Sequence, residues 1–122
     1  MDNSSLEASG SGEGVAGVLN AAADLLDKPG AWIQHAWARD SAGRIVDFGD
    51  EPKAACWCAD GAFEKVLGRR YVEHGDLRAN LQAAFIAVHG CSPMGFNDAP
   101  KRTQSEVVQA LRAAAKASEP TL

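Results

Sequence analysis

The sequence predicts a small α+β domain, mainly α, with about four helices and one β-hairpin packed on them. Apolar residues recur at three- and four-residue spacing around residues 15–26, 55–67, 77–88 and 107–115, the mark of helices with one buried face. Between the first two of these stretches the pattern changes to short alternating runs split by a turn-like tetrapeptide. Alanine is abundant and aromatic residues make up only 7% of the chain, which suits helices packed closely through small side chains. At 122 residues there is room for one core and not two.

Residues 1–13 are Ser, Gly, Asp and Glu with few apolar side chains, a composition expected to form a disordered tail ahead of a single globular domain at 14–118. A helix is expected from about Glu13 to Asp27, with Val15, Val18, Leu19, Ala22, Leu25 and Leu26 on its buried face and Pro29-Gly30 beyond its end. Trp32–Arg39 and Arg44–Phe48 then read as two strands. Asp40 suits the first turn position between them, and Gly43 the left-handed residue that closes the loop. Asp50-Glu51-Pro52 reads as a helix start, an acidic cap followed by a first-turn proline. That helix would bury Ala55, Cys58, Ala59, Ala62, Phe63, Val66 and Leu67 and end at Gly68. Trp57 and Gly61 would lie four apart on its flank, where the missing side chain of Gly61 admits Trp57 or a neighbouring backbone. Asp76 is expected to cap the next helix, with Leu77, Leu81, Ala84, Phe85 and Val88 inward and Gly90 at its stop. Residues 91–100 read as loop. Thr103-Gln104-Ser105-Glu106 is a capping box, opening a last helix that buries Val107, Val108, Leu111, Ala114 and Ala115 and frays near Glu119-Pro120.

A net charge of −4 argues against a general nucleic-acid binder, because neutralising phosphates needs clustered Lys and Arg. No apolar run approaches the ~18 residues of a membrane span, and the acidic, polar N-terminus has no signal-peptide core. Three cysteines, two of them only two residues apart, point to reduced thiols in the cytoplasm.

Cys58 is the first candidate for chemistry, as a nucleophile with His35 as base and Asp98 as orienter; His74 and His89 are other possible bases, and Asn97 another possible orienter. A helix starting near Pro52 places Cys58 in the second turn, beyond the reach of the dipole, among alanines that favour an inert, structural thiol. For a metal, Cys56-x-Cys58 lacks the usual two-residue gap, and helical positions two apart point to nearly opposite sides. Cys58, Cys91, His89 and His35 could share an ion only if the fold gathers them, so neither metal nor cofactor is expected. Asn97 and Asp98 suit turn-fixing bonds to backbone, and the next reading is an ion pair of Asp98 with Arg39. Trp57, Cys58, Gly61, Asn97, Asp98 and Thr103 are thus expected to be structural. On a regular strand His35, Trp37 and Arg39 share one face, an aromatic strip with a polar rim suited to contact with a partner.

Trp32-x-Gln34, Ala38-Arg39-Asp40-x-x-Gly43, Trp57-Cys58-x-x-Gly61-Ala62, Asn97-Asp98 and Thr103-x-x-Glu106-Val107 occur in this order. Together they resemble a family of short bacterial and phage proteins known only as a domain of unknown function, over about residues 15–117. The Trp-Cys-x-x-Gly-Ala motif is the most specific part. Members usually begin the Asn-Asp motif with Trp, where this chain has Phe96. The resemblance implies a compact helical fold and a cytoplasmic setting, and it implies no activity.

The expectation is a small cytoplasmic interaction or regulatory protein that binds a protein partner or a second copy of itself. A non-enzyme is favoured, since no acid–base or nucleophile constellation has the spacing chemistry needs. The alternative is a cysteine-dependent hydrolase or transferase using Cys58.

Overall fold

In the computed structural model, residues 14–119 are described; the tail expected at 1–13 and the end of the chain from Pro120 lie outside them. The elements are α1 (Val15–Leu26), β1 (Ala38–Asp40), β2 (Ala54–Trp57), α2 (Ala59–Leu67), α3 (Arg70–Glu73), α4 (Gly75–His89), α5 (Pro93–Asn97) and α6 (Gln104–Ser118). Among the described residues the architecture is thus mainly helical α+β, with four long helices, two short ones and a two-stranded antiparallel sheet.

The helical layer follows from its apolar stripes. Leu19, Ala22 and Leu26 of α1 and Val107, Leu111, Ala114 and Ala115 of α6 are buried against one another, with α2 and α4 closing the core. The α6 capping box forms as the sequence indicates. The Thr103 hydroxyl accepts from the Glu106 N–H at 3.2 Å, and the Glu106 carboxylate accepts from the Thr103 N–H at 2.9 Å. Gln104, in the first turn of α6, donates to the Leu26 and Lys28 carbonyls and so finishes the open end of α1.

The strand region departs from expectation in two places. The run from Trp32 to Arg39 is not one strand, because His35 takes a left-handed backbone (φ 70°) and breaks the alternation. Its two ends instead flank β2. On one side the Trp57 N–H donates to the Ala31 carbonyl at 2.7 Å, and the Ile33 N–H to the Trp57 carbonyl at 3.0 Å. On the other side Ala38 pairs with Trp57 and Arg39 with Cys56 in antiparallel register. The second predicted strand, Arg44–Phe48, contributes only an isolated bridge from Ile45 to Arg39. The turn between them is as read: Asp40 accepts from the N–H groups of Ala42 and Arg44 at 2.9 Å each, and Gly43 is left-handed (φ 84°).

The helix expected from Pro52 starts seven residues later, at Ala59. Asp50, Glu51 and Pro52 lie in a turn, where acidic residues and proline are as much at home as at a helix start. Residues 54–57 extend as β2, leaving Ala55 exposed, and Cys58 becomes the N-cap of α2. Trp57 and Gly61 therefore do not share a helix. Residues 91–100 are also not all loop: Ser92 caps α5 by accepting from the Gly95 N–H at 3.0 Å, and Pro93 occupies the first helical turn. At the start of α4 the cap position is His74, with Asp76 inside the first turn, and Val88 near the far end is exposed.

Candidate functional site

The predicted residues converge on a polar seam where residues 31–38 and 97–99 meet the start of α2. Asn97 is fully buried and uses both ends of its amide. Its Oδ1 accepts from the Trp32 indole N–H at 2.8 Å and from the Ala59 N–H at 3.0 Å. Its Nδ2 donates to the Ile33 carbonyl at 3.0 Å and to Asp98 Oδ1 at 2.9 Å. The Gln34 amide donates to the Asn97 and Ala99 carbonyls, and the His35 N–H donates to Asp98 Oδ1 at 3.0 Å. Asn97 thus joins α5, the segment before β1 and the first turn of α2 at one point.

Asp98 does not meet Arg39, whose guanidinium donates to the Gly43 carbonyl. Its neighbour is His35, with Nδ1 3.9 Å from Asp98 Oδ2 and the histidine side chain 69% exposed. Thr103 caps α6, apart from this node.

Cys58 sits at the helix end rather than a turn and a half inside it. Its Sγ accepts from the Gly61 N–H at 3.4 Å. Helix-end N–H groups lower a thiol pKa, yet burial dominates and pushes it up to about 12. At neutral pH the group is therefore a thiol, and its hydrogen-bond partner is backbone, not a histidine. Of the two neighbours the sequence suggested for Gly61, Trp57 or a backbone, the structure has the backbone: a Cβ there would overlap the Trp37 carbonyl oxygen. That carbonyl also accepts from the Cys58 N–H at 3.2 Å, so chain crossing and glycine occur together.

Periodicity gave no sign of two acidic residues on the buried face of α2. Asp60 accepts from the Tyr71 hydroxyl and, at 2.8 Å, from Gln82 Nε2, which also reaches the Tyr71 oxygen. Burial, then the Asp60 charge, raises the Tyr71 pKa well above the usual phenol range. Glu64 accepts from the Gly49 N–H and from Arg69 Nη1 at 3.1 Å, while the Trp57 indole donates to the Gly49 carbonyl at 2.7 Å. A usable signal was there: Asp60 and Glu64 are one turn apart and flank Phe63 and Leu67, and acids on an apolar face need partners. Among the described residues every buried side-chain polar atom is hydrogen-bonded, no cluster suits a metal ion, and no pocket is enclosed.

The three residues expected to form a strip have separate surroundings. His35 lies by Asp98 and Arg39 by Gly43. Trp37 is half-buried, 5.9 Å from the Tyr71 ring centroid, with the Arg78 guanidinium 5.4 Å from its own.

A small helical α+β domain with a fully paired polar seam is the class these features define. The chain belongs to a family of unknown function (DUF6197), whose sequence model matches residues 10–117. No curated protein and no solved structure matches it.

Proposed function

We propose that this is a small interaction or regulatory protein, binding a protein partner or a second copy of itself, with its contact surface where Trp37 meets the outer face of α4. The observation that carries the reading is that the described residues leave this face uncovered, with Arg78 the one charge at its edge past Asp76. Beyond Asp76 it presents Ala79, Asn80, Ala83, Ile86 and Ala87, all exposed, with Ile86 at 43%. α4 therefore carries apolar residues on two sides and buries only one, and an uncovered apolar face is a mark of association. The unbridged cysteines are in keeping with a reducing, cytoplasmic setting.

The alternative, a cysteine-dependent hydrolase or transferase, has less support. Its nucleophile would be a buried thiol held in the protonated form. His35 and Asp98 are neighbours, but the only hydrogen bond of the Cys58 sulfur among the described residues is with Gly61.

The test uses Ile86→Glu and Trp37→Ala, each checked for folding by circular dichroism. Mass is then measured by light scattering, and bound proteins by capture from the source cell. The reading expects a lower mass or a lost partner in a folded Ile86→Glu variant. If that variant keeps the wild-type mass and partners, the α4 face is not the contact surface. Should Trp37→Ala unfold while Ile86→Glu folds, Trp37 belongs to the core and the Ile86 result decides.

A further inference from the structure

Arg78 differs from every other arginine in the described chain. Arg39 donates to the Gly43 carbonyl, Arg44 to Asp40, Arg69 to Glu64, Arg70 to the Leu67 carbonyl, Arg102 to the Phe96 carbonyl and Arg112 to Asp24. Arg78 has no polar partner among the described residues. Its guanidinium is instead seated on two aromatic faces, 5.4 Å from the Trp37 centroid and 5.3 Å from that of Tyr71. The rings hold the cation in place and leave its in-plane N–H donors unused. The side chain is half-buried, so an anion meeting it would form an ion pair screened less than an exposed one. The nearby buried carboxylate is not its partner: Asp60 accepts from Tyr71 and Gln82 through Oδ1, and among the described residues neither of its oxygens lies within ion-pair distance of Arg78.

We propose that Arg78, on its Trp37–Tyr71 seat, is the anion-reading residue of the interaction surface, and that it takes a carboxylate side chain from an acidic, amphipathic helix of a partner protein. This rests on the interaction reading above. A single guanidinium matches a single carboxylate through two parallel hydrogen bonds. A phosphate-rich partner would call for several clustered cations, and the chain's net charge is −4. Arg78, Gln82 and Ile86 fall on one ridge of α4 at four-residue steps, with exposed Ala79 and Ala83 beside it. Along the helix axis the backbone positions of Arg78 and Ile86 are ~12 Å apart. A partner helix lying along it would set an acidic residue at Arg78 and an apolar one about two turns away at Ile86.

The probes are blocked peptides on an Ala/Gln background, with Glu and Leu two helical turns apart in either order, and their Glu→Gln twins. Inorganic phosphate is the comparison anion. Binding is read by NMR from the Arg78 Nε–H and Trp37 indole signals. A Glu peptide in one of the two orders should shift both signals saturably. Its Gln twin, and the Glu peptide on Arg78→Gln, should bind at least tenfold more weakly. Arg78→Lys keeps the charge without the fork and should fall between. Absent shifts, equal binding of the Gln twin, wild-type affinity in Arg78→Lys, or tighter binding of phosphate than of either Glu peptide would each overturn the proposal. Arg78→Lys preserves the stem and answers the question even if Arg78→Gln fails to fold. If the peptides fail while Ile86→Glu still alters mass or partners, the interaction reading survives and this assignment alone falls.

Discussion

Helices α1 and α6 meet through apolar side chains on both faces, whereas the seam around Asn97 is joined by hydrogen bonds of fixed donor and acceptor. In the first region Leu19, Leu26, Val107 and Leu111 share their contacts with many neighbours, and a modest change at one is spread over the rest. Polar links there are peripheral, such as the exposed Arg112–Asp24 pair at 2.8 Å, and pairs of that kind contribute little. In the seam each polar group is tied to one or two particular partners. Removing one side leaves a buried group unpaired, which costs more than the bond itself contributed. Helical packing therefore sets the shape of the domain, and the seam sets the path of the chain between α1 and α2.

The largest test of this contrast is Gly61→Ala. Helix propensity alone favours alanine by about 1 kcal/mol. Against that, the new Cβ would run into the Trp37 carbonyl, a backbone atom that also accepts from the Cys58 N–H. We expect a net loss of about 3 kcal/mol or more, read from the denaturant midpoint. Stability at or above wild type would mean that the crossing relaxes easily and that the seam is no tighter than the helical layer.

A matched pair of variants comes next. Asn97→Ala removes the acceptor of the Trp32 indole and the Ala59 N–H, and the donor to the Ile33 carbonyl. The expected cost is about 2–4 kcal/mol. Thr103→Ala removes the cap of α6, a polar feature of the α1–α6 region, and should cost about 1 kcal/mol. Equal losses would erase the distinction between the two regions.

The same contrast decides what could be read from the sequence. The buried faces of α1 and α6 and the box at Thr103 are local: periodicity and a four-residue motif contain them. Gly61 was legible as a place of close approach, but not that the neighbour is Trp37, because that needs the chain path. The seam depends on pairings more than 60 positions apart, Trp32 and Gln34 with residues 97–99, and no local period encodes them. Asp50-Pro52 misled because turn and helix start use the same residues, and the extended cap at Cys58 (φ −82°, ψ −177°) resolves the ambiguity only in three dimensions. The strip of His35, Trp37 and Arg39 assumed a regular strand, which the left-handed backbone at His35 removes.

The smallest effect at neutral pH, and the sharpest probe of how dry the seam is, belongs to Cys58. Its pKa rises from 9.0 to about 12 because burial penalises the thiolate. Below pH 9 the thiol is protonated in both folded and unfolded chains, so it adds no pH dependence. Between pH 9 and about 12 the unfolded chain gives up this proton while the folded chain keeps it. The unfolded state then binds fewer protons, and stability falls as pH rises. The loss should be on the order of 1 kcal/mol by pH 10. Tyr71, whose pKa burial also raises, adds its own loss of stability in alkali, so the quantity to measure is the difference in denaturation free energy between wild type and Cys58→Ala from pH 8 to 10.5. Losing the cap offsets the two curves by a constant, but only the thiol gives them different slopes. Wild type should lose stability faster than the variant above pH 9. Parallel curves across that range would mean that water reaches the sulfur in the folded state, and the start of α2 would then be open enough for a thiolate to form there.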